Sequence, residues 1–217
     1  IVTAPYILEE LWATAGRRLA DDIDLRPLDP FYEVRFDDGE VIVYTADLDR
    51  MREQVARISP VDVPAFDRFL AASKRIYAVA FEELADQPFD SLWTLFKAVP
   101  DMARLAGYRS VYSLVCSYFT HPKLRVLFSF HPLLIGGNPL STTAYYCLIS
   151  HLERSYGVHY AMGGTGSLVQ GMLKLLEGCG GSIRYHAEVA EITAEDGRAT
   201  GVRLANGERI EAPIVVS

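Results

Sequence analysis

The sequence predicts a mixed α/β fold: a β-hairpin near its start, a helical middle, and an α/β portion at its end. The hairpin is indicated by Asp37-Asp38-Gly39, which separates two β-prone runs, because Asp-Gly supplies the positive φ angles of a tight turn. The helical middle is indicated by apolar residues recurring at three- and four-residue spacing between Asp47 and about Arg154. The final portion is indicated by a change of texture after Tyr156, where glycine turns, one apolar helix face and alternating strand patterns succeed one another.

In chain order, Tyr6 to Ala15 reads as a short helix stopped near Gly16. The hairpin occupies about 28–45. Leu48, Met51, Val55 and Ile58 fall on one helix face, and Pro60 and Pro64 are expected to break that helix. A second helix is expected near Ala65, carrying Phe66, Phe69, Leu70, Ile76 and Tyr77, and Pro88 and Pro100 punctuate the next stretch of chain. Further helices are expected over 109–119, 123–130 and 142–154, and His131 to Pro139 reads as a loop by its Gly and Pro content. Val158 to Met162 reads as a short extended segment, Gly163-Gly164-Thr165-Gly166 as a turn, and Leu168 to Leu176 as a helix ended by Gly178, Gly180 and Gly181. Ile183, Tyr185, Ala187 and Val189 alternate as in a strand, and 199–212 forms a second hairpin around Asn206-Gly207. Ile214 to Val216 reads as a strand buried on both faces.

Composition narrows the function classes. The 217 residues carry 21 basic and 28 acidic side chains, a net charge of −7, which argues against nucleic acid or an anionic membrane as the main electrostatic partner but leaves room for a local basic patch or an apolar membrane-docking surface. No run of about twenty apolar residues is present, and no signal peptide is visible. Cys116, Cys147 and Cys179 are widely spaced, with no CxxC and no metal-ligand spacing, and read as buried reduced thiols of a cytosolic protein. The start at Ile1 and the end in Ile214-Val215-Val216-Ser217 read as an internal stretch of a longer chain.

Among chemistry-bearing features, the glycine turn at 163–166 stands out. Glycines let backbone approach a ligand, and the N–H groups of the helix start can face an anion such as a pyrophosphate. It is not a GxGxxG motif, and helix-start glycines also serve purely structural turns. The five histidines have no HExxH spacing; His121 and His131 each precede proline and read as solvated or capping residues. No GxSxG elbow or Cys/His pair supports nucleophilic hydrolysis. The aromatic residues Tyr112, Tyr118, Phe119, Phe128, Phe130, Tyr145 and Tyr146 suit either helix core or the wall of a long apolar pocket. Adjacent acidic pairs such as Asp21-Asp22 and Asp37-Asp38 read as solvated faces.

An ordered series of segments goes further. Arg109 to Ser113, Leu124 to Pro139, Leu152 to Val158, and Met162-Gly163-Gly164-Thr165-Gly166-Ser167-Leu168-Val169-Gln170-Gly171-Met172 together resemble the bacterial phytoene desaturases, carotenoid desaturases among the FAD-dependent amine-oxidase-like flavoproteins. Ile1 to Leu11 and the hairpin near Gly39 fit the same template.

The resemblance implies part of an FAD/NAD(P)-binding Rossmann-like domain over 156–217 and a substrate-binding region over 1–155. It implies a dinucleotide-binding glycine motif before Ile1 and a second flavin-contacting glycine region after Ser217. It implies FAD contacts at Gly163, Gly164 and Thr165, with the backbone of Val189 at the adenine end. A polyene would be lined by Phe128, Phe130, Leu133, Tyr145 and Tyr146. The implied reaction is hydride transfer from an allylic C–H to the flavin, with no catalytic side chain assigned and no metal. The implied partners are a hydrophobic phytoene-like polyene and a membrane surface, with no nucleic acid; the implied location is cytoplasmic and peripheral to the membrane. Carotenoid isomerases and oxygenases share the scaffold, as do non-catalytic prenyl-lipid-binding relatives, so scaffold alone does not fix the reaction.

Overall fold

The computed structural model describes residues 1–83 and 107–217, so the stretch punctuated by Pro88 and Pro100 lies outside the described residues. The chain forms two compact units, Ile1–Gly171 and Met172–Ser217.

The first unit opens with α1, Pro5–Thr14, which starts on proline where a missing N–H costs nothing and stops at Gly16, φ 68°. Its Trp12 is fully buried, and the indole Nε1 donates to Asp22 Oδ2 at 2.8 Å. Arg17 also pairs with Asp22, at 2.9 Å. Of the acidic pair expected to be solvated, Asp22 is therefore a buried acceptor, because the indole and guanidinium supply the donors a buried carboxylate requires. Strand β1 is Leu25–Pro27. The hairpin consists of β2, Tyr32–Arg35, and β3, Val41–Tyr44, in antiparallel register with Tyr32 opposite Tyr44. Gly39 supplies the positive φ, 86°, at its turn.

Helix α2, Leu48–Ile58, is capped by Asp47, whose side chain accepts from the N–H groups of Asp49 and Arg50; such a cap contributes about 1 kcal/mol. Met51 and Val55 face the core as the spacing requires, and Gln54 clamps Val43 of β3 through both N–H (2.7 Å) and C=O (2.8 Å). Helix α3, Val63–Tyr77, begins two residues earlier than expected. Helix α2 ends before Pro60, as expected, and Pro64 lies in the first turn of α3, where no intrahelical N–H is needed.

The next helices are shorter than the sequence suggests. They are α4, Val111–Cys116, and α5, Pro122–Ser129, capped by Ser110 and His121 respectively. In place of one helix over 142–154 there is a 3₁₀ turn, Ala144–Leu148, followed by α6, Ile149–Tyr156. Residues 142–144 cannot join the helix because they bond across to the start of α4: Val111 N donates to Thr142 O and Ala144 N to Arg109 O, both at 2.9 Å. The expected loop at 131–139 contains a 3₁₀ turn, His131–Ile135, ended by Gly136 at φ 74°. The core of the unit is aromatic: Phe119 stacks on Phe128 at 4.6 Å, and Phe66 and Phe69 each lie 5.5 Å from Phe128.

Strand β4, His159–Ala161, pairs antiparallel with β1, with Leu25 opposite Ala161. It leads through the glycine turn into α7, Thr165–Gly178. Gly171 is the contact point of this helix: a Cβ there would lie 2.4 Å from Ile23 Cγ1 and 3.4 Å from Trp12. Only glycine permits so close an approach.

The second unit holds the end of α7 and a three-stranded antiparallel sheet, β5 Val189–Glu195, β6 Arg198–Leu204 and β7 Arg209–Glu211. The β6–β7 hairpin turns at Asn206-Gly207 as expected. The β5–β6 turn, unforeseen, is Asp196-Gly197 with φ 49° and 76°, positive at both central residues. Two strand expectations are corrected. The strand placed from Ile183 starts only at Val189, and Ile214 to Val216, expected to be a buried strand, pairs with nothing among the described residues, with Ile214 and Val216 exposed and Val215 half-buried. Alternation and apolarity prepare a segment for a sheet, but a strand exists only where a neighbour offers a ladder, and none among the described residues does so here. All strand pairings among the described residues are antiparallel. Of the cysteines expected to be buried, Cys147 is; Cys116 is half-buried and Cys179 exposed.

Candidate functional site

The glycine corner is built from the end of β4. Met162 N donates to Asp24 O at 2.9 Å, and Gly164 N to Ala161 O at 2.9 Å, which reverses the chain tightly. Gly163 and Gly164 hold φ of 86° and 82°, a left-handed conformation that a side chain would strain. Ser167 then closes the corner, its N–H and hydroxyl both reaching Gly164 O at 3.1 and 2.7 Å. The corner is not packed shut. A Cβ at Gly164 or Gly166 would meet nothing within 4 Å, so open space lies directly before the first turn of α7. The N–H groups of a first helical turn have no partner inside the helix and favour an anion. The corner therefore fits a pyrophosphate-bearing group such as a dinucleotide. Val189, in the second unit, is the first residue of β5, half exposed, and is followed by a register irregularity between residues 189 and 191.

The aromatic candidates divide by burial. Phe128 is fully enclosed in the core among Phe66, Phe69 and Phe119. Phe130 is half-buried, stacked on His131 at 4.5 Å and edge-on to Tyr32 at 5.3 Å. Tyr145 and Tyr146 are half-buried on the 3₁₀ turn, packed against the core. Tyr145 lies over Gly107, where a Cβ would come within 2.0 Å of its hydroxyl, and burial raises its phenol pKa. Leu133 is exposed.

Beside Phe130 lies a polar knot that residue spacing does not reveal. Glu153 and His131 are both buried, with His131 Nε2 3.2 Å from Glu153 Oε2. Tyr32 donates its hydroxyl to the same oxygen at 3.0 Å. Arg154 lies over the Tyr44 ring at 4.7 Å and donates from Nη1 to Tyr44 Oη at 2.9 Å and to Ser150 O at 2.8 Å. Burial raises the phenol pKa of Tyr32, as do the neighbouring Tyr44 and Glu153; Tyr44 is raised by its own burial against the opposing effect of Arg154. His131 is thus neither solvated nor a cap but the buried partner of a carboxylate. The signal was available in part: Leu152-Glu153-Arg154 places a charged pair on a helix whose other face is apolar, yet nothing in the sequence says which of the two faces inward. Tyr32 from the hairpin, His131 from the 3₁₀ turn and Glu153 from α6 meet only in the folded chain. The knot ties three segments together; Glu153 Oε1 and His131 Nδ1 are buried and have no hydrogen-bond partner among the described residues. Among the described residues no three His, Cys, Asp or Glu side chains converge as metal ligands.

Comparisons with known proteins place the chain among characterised relatives. The chain is 44% identical over its full length to a neurosporene-forming phytoene desaturase of Cereibacter sphaeroides, covering 42% of that protein. It is 40% identical to a lycopene-forming phytoene desaturase of Paracoccus sp., covering 43% of it. It is also 32% identical to a 4,4'-diapolycopene oxygenase of Methylomonas sp, covering 44%. The chain thus spans less than half the length of these relatives. Residues 8–217 match the model of the flavin containing amine oxidoreductases, and the chain belongs to that family.

Proposed function

We propose that the protein is an FAD-dependent desaturase of phytoene or a related carotenoid precursor, acting in carotenoid biosynthesis. The observation that carries this reading is identity of 39–44% to five phytoene desaturases, sustained over the whole chain rather than at isolated motifs.

In this reading Gly163, Gly164 and Thr165 hold the pyrophosphate of FAD. FAD, when bound, supplies the hydride acceptor. Residues 1–155 receive the substrate: Phe130, Leu133, Tyr145 and Tyr146 wall an apolar slot, with Phe128 as the packed layer behind them. Excluding water and aligning an allylic C–H are what such a wall contributes; a polyene has no polar handle for a side chain to grip. No catalytic acid or base is assigned. The substrate dissolves in membranes, so the protein is read as cytoplasmic and peripheral to a membrane; no helix among the described residues is long and apolar enough to cross one.

The test is expression of the full-length gene in cells that accumulate phytoene. Coloured polyenes are expected. Persistent colourless phytoene alongside soluble, flavin-loaded protein would overturn the reading. A second reading, oxygenation of a finished carotenoid, is favoured by the similarity to the diapolycopene oxygenase; oxygenated products from lycopene-type feeds, without phytoene conversion, would select it.

A further inference from the structure

The chain's charges are unevenly spread. From Met102 to Leu152 there is no carboxylate, although the chain has 28; the same stretch holds Arg104, Arg109, Lys123 and Arg125. A chain of net charge −7 thus contains one wholly cationic stretch. Lys123 is committed to Asp38 and Glu40. Arg109 and Arg125 donate only to serine and backbone oxygens and have no carboxylate partner among the described residues.

Within this stretch the turn after α5 presents its apolar side chains outward. Leu133, Leu134, Ile135 and Leu140 are 60, 48, 58 and 65% exposed. Tyr108, 83% exposed, precedes Arg109 on the segment that bonds directly to 139–144: Tyr112 N donates to Pro139 O at 3.0 Å and Thr143 Oγ1 to Gly107 O at 2.8 Å.

Much of the turn's backbone bonds within the turn itself. Leu133 N bonds Phe130 O (2.8 Å), Gly136 N bonds Leu133 O (3.1 Å), and Gly137 N bonds Pro132 O (2.8 Å). Leu140 N is taken by Asn138 Oδ1 at 2.9 Å, and Thr142 N by Asn138 O at 2.8 Å. Exposed leucines over a turn whose N–H groups are largely taken by its own oxygens can enter a hydrocarbon boundary at reduced polar cost. A cation, Arg109, and the Tyr108 ring beside them suit anionic headgroups. Exposed apolar side chains with a cation beside them favour a lipid surface as the occupant.

We infer that the turn 133–140, with Tyr108 and Arg109 beside it, is the docking element that enters the headgroup region of an anionic bilayer. The inference rests on the membrane association proposed above and deepens it. Leu133, assigned to the substrate slot, then marks the rim through which a membrane-dissolved hydrocarbon would pass.

The experiment uses the full-length flavoprotein and flotation with vesicles of phosphatidylcholine alone or with phosphatidylglycerol. The double variant Leu134→Asp, Ile135→Asp is compared with wild type, and hydrogen exchange of the peptide spanning 130–142 is followed with and without vesicles. Wild type is expected to float with anionic vesicles, less so at high salt, with exchange across 130–142 slowed. The double variant, keeping its flavin spectrum, should partition at least roughly tenfold more weakly, since two large side chains leave the apolar phase. Equal flotation of the variant, or unchanged exchange in bound wild type, overturns the inference while leaving membrane association standing. Loss of flavin and solubility in the variant, with the 130–142 peptide already protected in vesicle-free wild type, means that the protein's own body or a second copy covers the turn and also overturns it. If wild type floats with no vesicle, the membrane reading itself fails.

Discussion

Replacing Gly164 by alanine separates a structural glycine from a ligand-contacting one. Gly164 has φ +82°, so a Cβ costs about 1–2 kcal/mol of backbone strain. The added methyl would meet no protein atom within 4 Å, so the strain is the whole folding penalty. Gly39 in the β2–β3 turn is the internal control: its φ is +86° and a Cβ there also meets nothing. The two alanine variants of the full-length protein should therefore lose similar thermal stability. They should differ in flavin. If a pyrophosphate occupies the space before α7, the methyl at residue 164 intrudes on it. Overpacking of one methyl costs about 1–3 kcal/mol, and flavin affinity should fall roughly ten- to hundredfold. The assay is the ratio of flavin to protein absorbance on dilution, alongside a melting curve. Gly39→Ala should keep its flavin. Equal retention in both variants would refute the assignment of the corner, whatever the melting temperatures.

The same geometry carries further expected outcomes. Glu153→Ala strands the Tyr32 hydroxyl and His131 in a buried site and should cost about 3–5 kcal/mol in denaturant titrations, whereas an exposed carboxylate such as Glu195→Ala should be near neutral. Gly171→Val should be at least as damaging, since its side chain would overlap Ile23; a stable variant would mean α7 shifts freely. Burial pushes the carboxyl pKa of Asp62 up, but the hydrogen bonds from Thr120 N, His121 N and nearby hydroxyls outweigh it and hold the pKa below the usual value. The stability it supplies is thus fully present above the unfolded pKa of about 4 and lost as pH falls through the folded value. Wild type and Asp62→Asn should accordingly converge in stability toward acid pH. Burial also raises the Cys147 thiol to about 12, so it should resist thiol reagents near pH 8 until the protein unfolds.

The sequence alone determined whatever depends on residues near one another in the chain. Turn positions were legible at Asp38-Gly39 and Asn206-Gly207 because a positive φ is a local demand. The core faces of α2 and α3 were legible because helical spacing is local. The glycine corner was legible at Gly163 and Gly164 because their left-handed backbone disfavours side chains. Tertiary structure decided the rest. Residues 142–144 left their helix because 109–111 offered backbone partners. Ile183 to Glu188 and Ile214 to Val216 stayed out of the sheet because no ladder lay beside them among the described residues. Asp22, His131 and Glu153 went inside because Trp12, Arg17 and Tyr32, distant or on other elements, supplied hydrogen bonds there. A polar group's burial depends on the partners the fold brings to it, and neither residue type nor spacing records those partners.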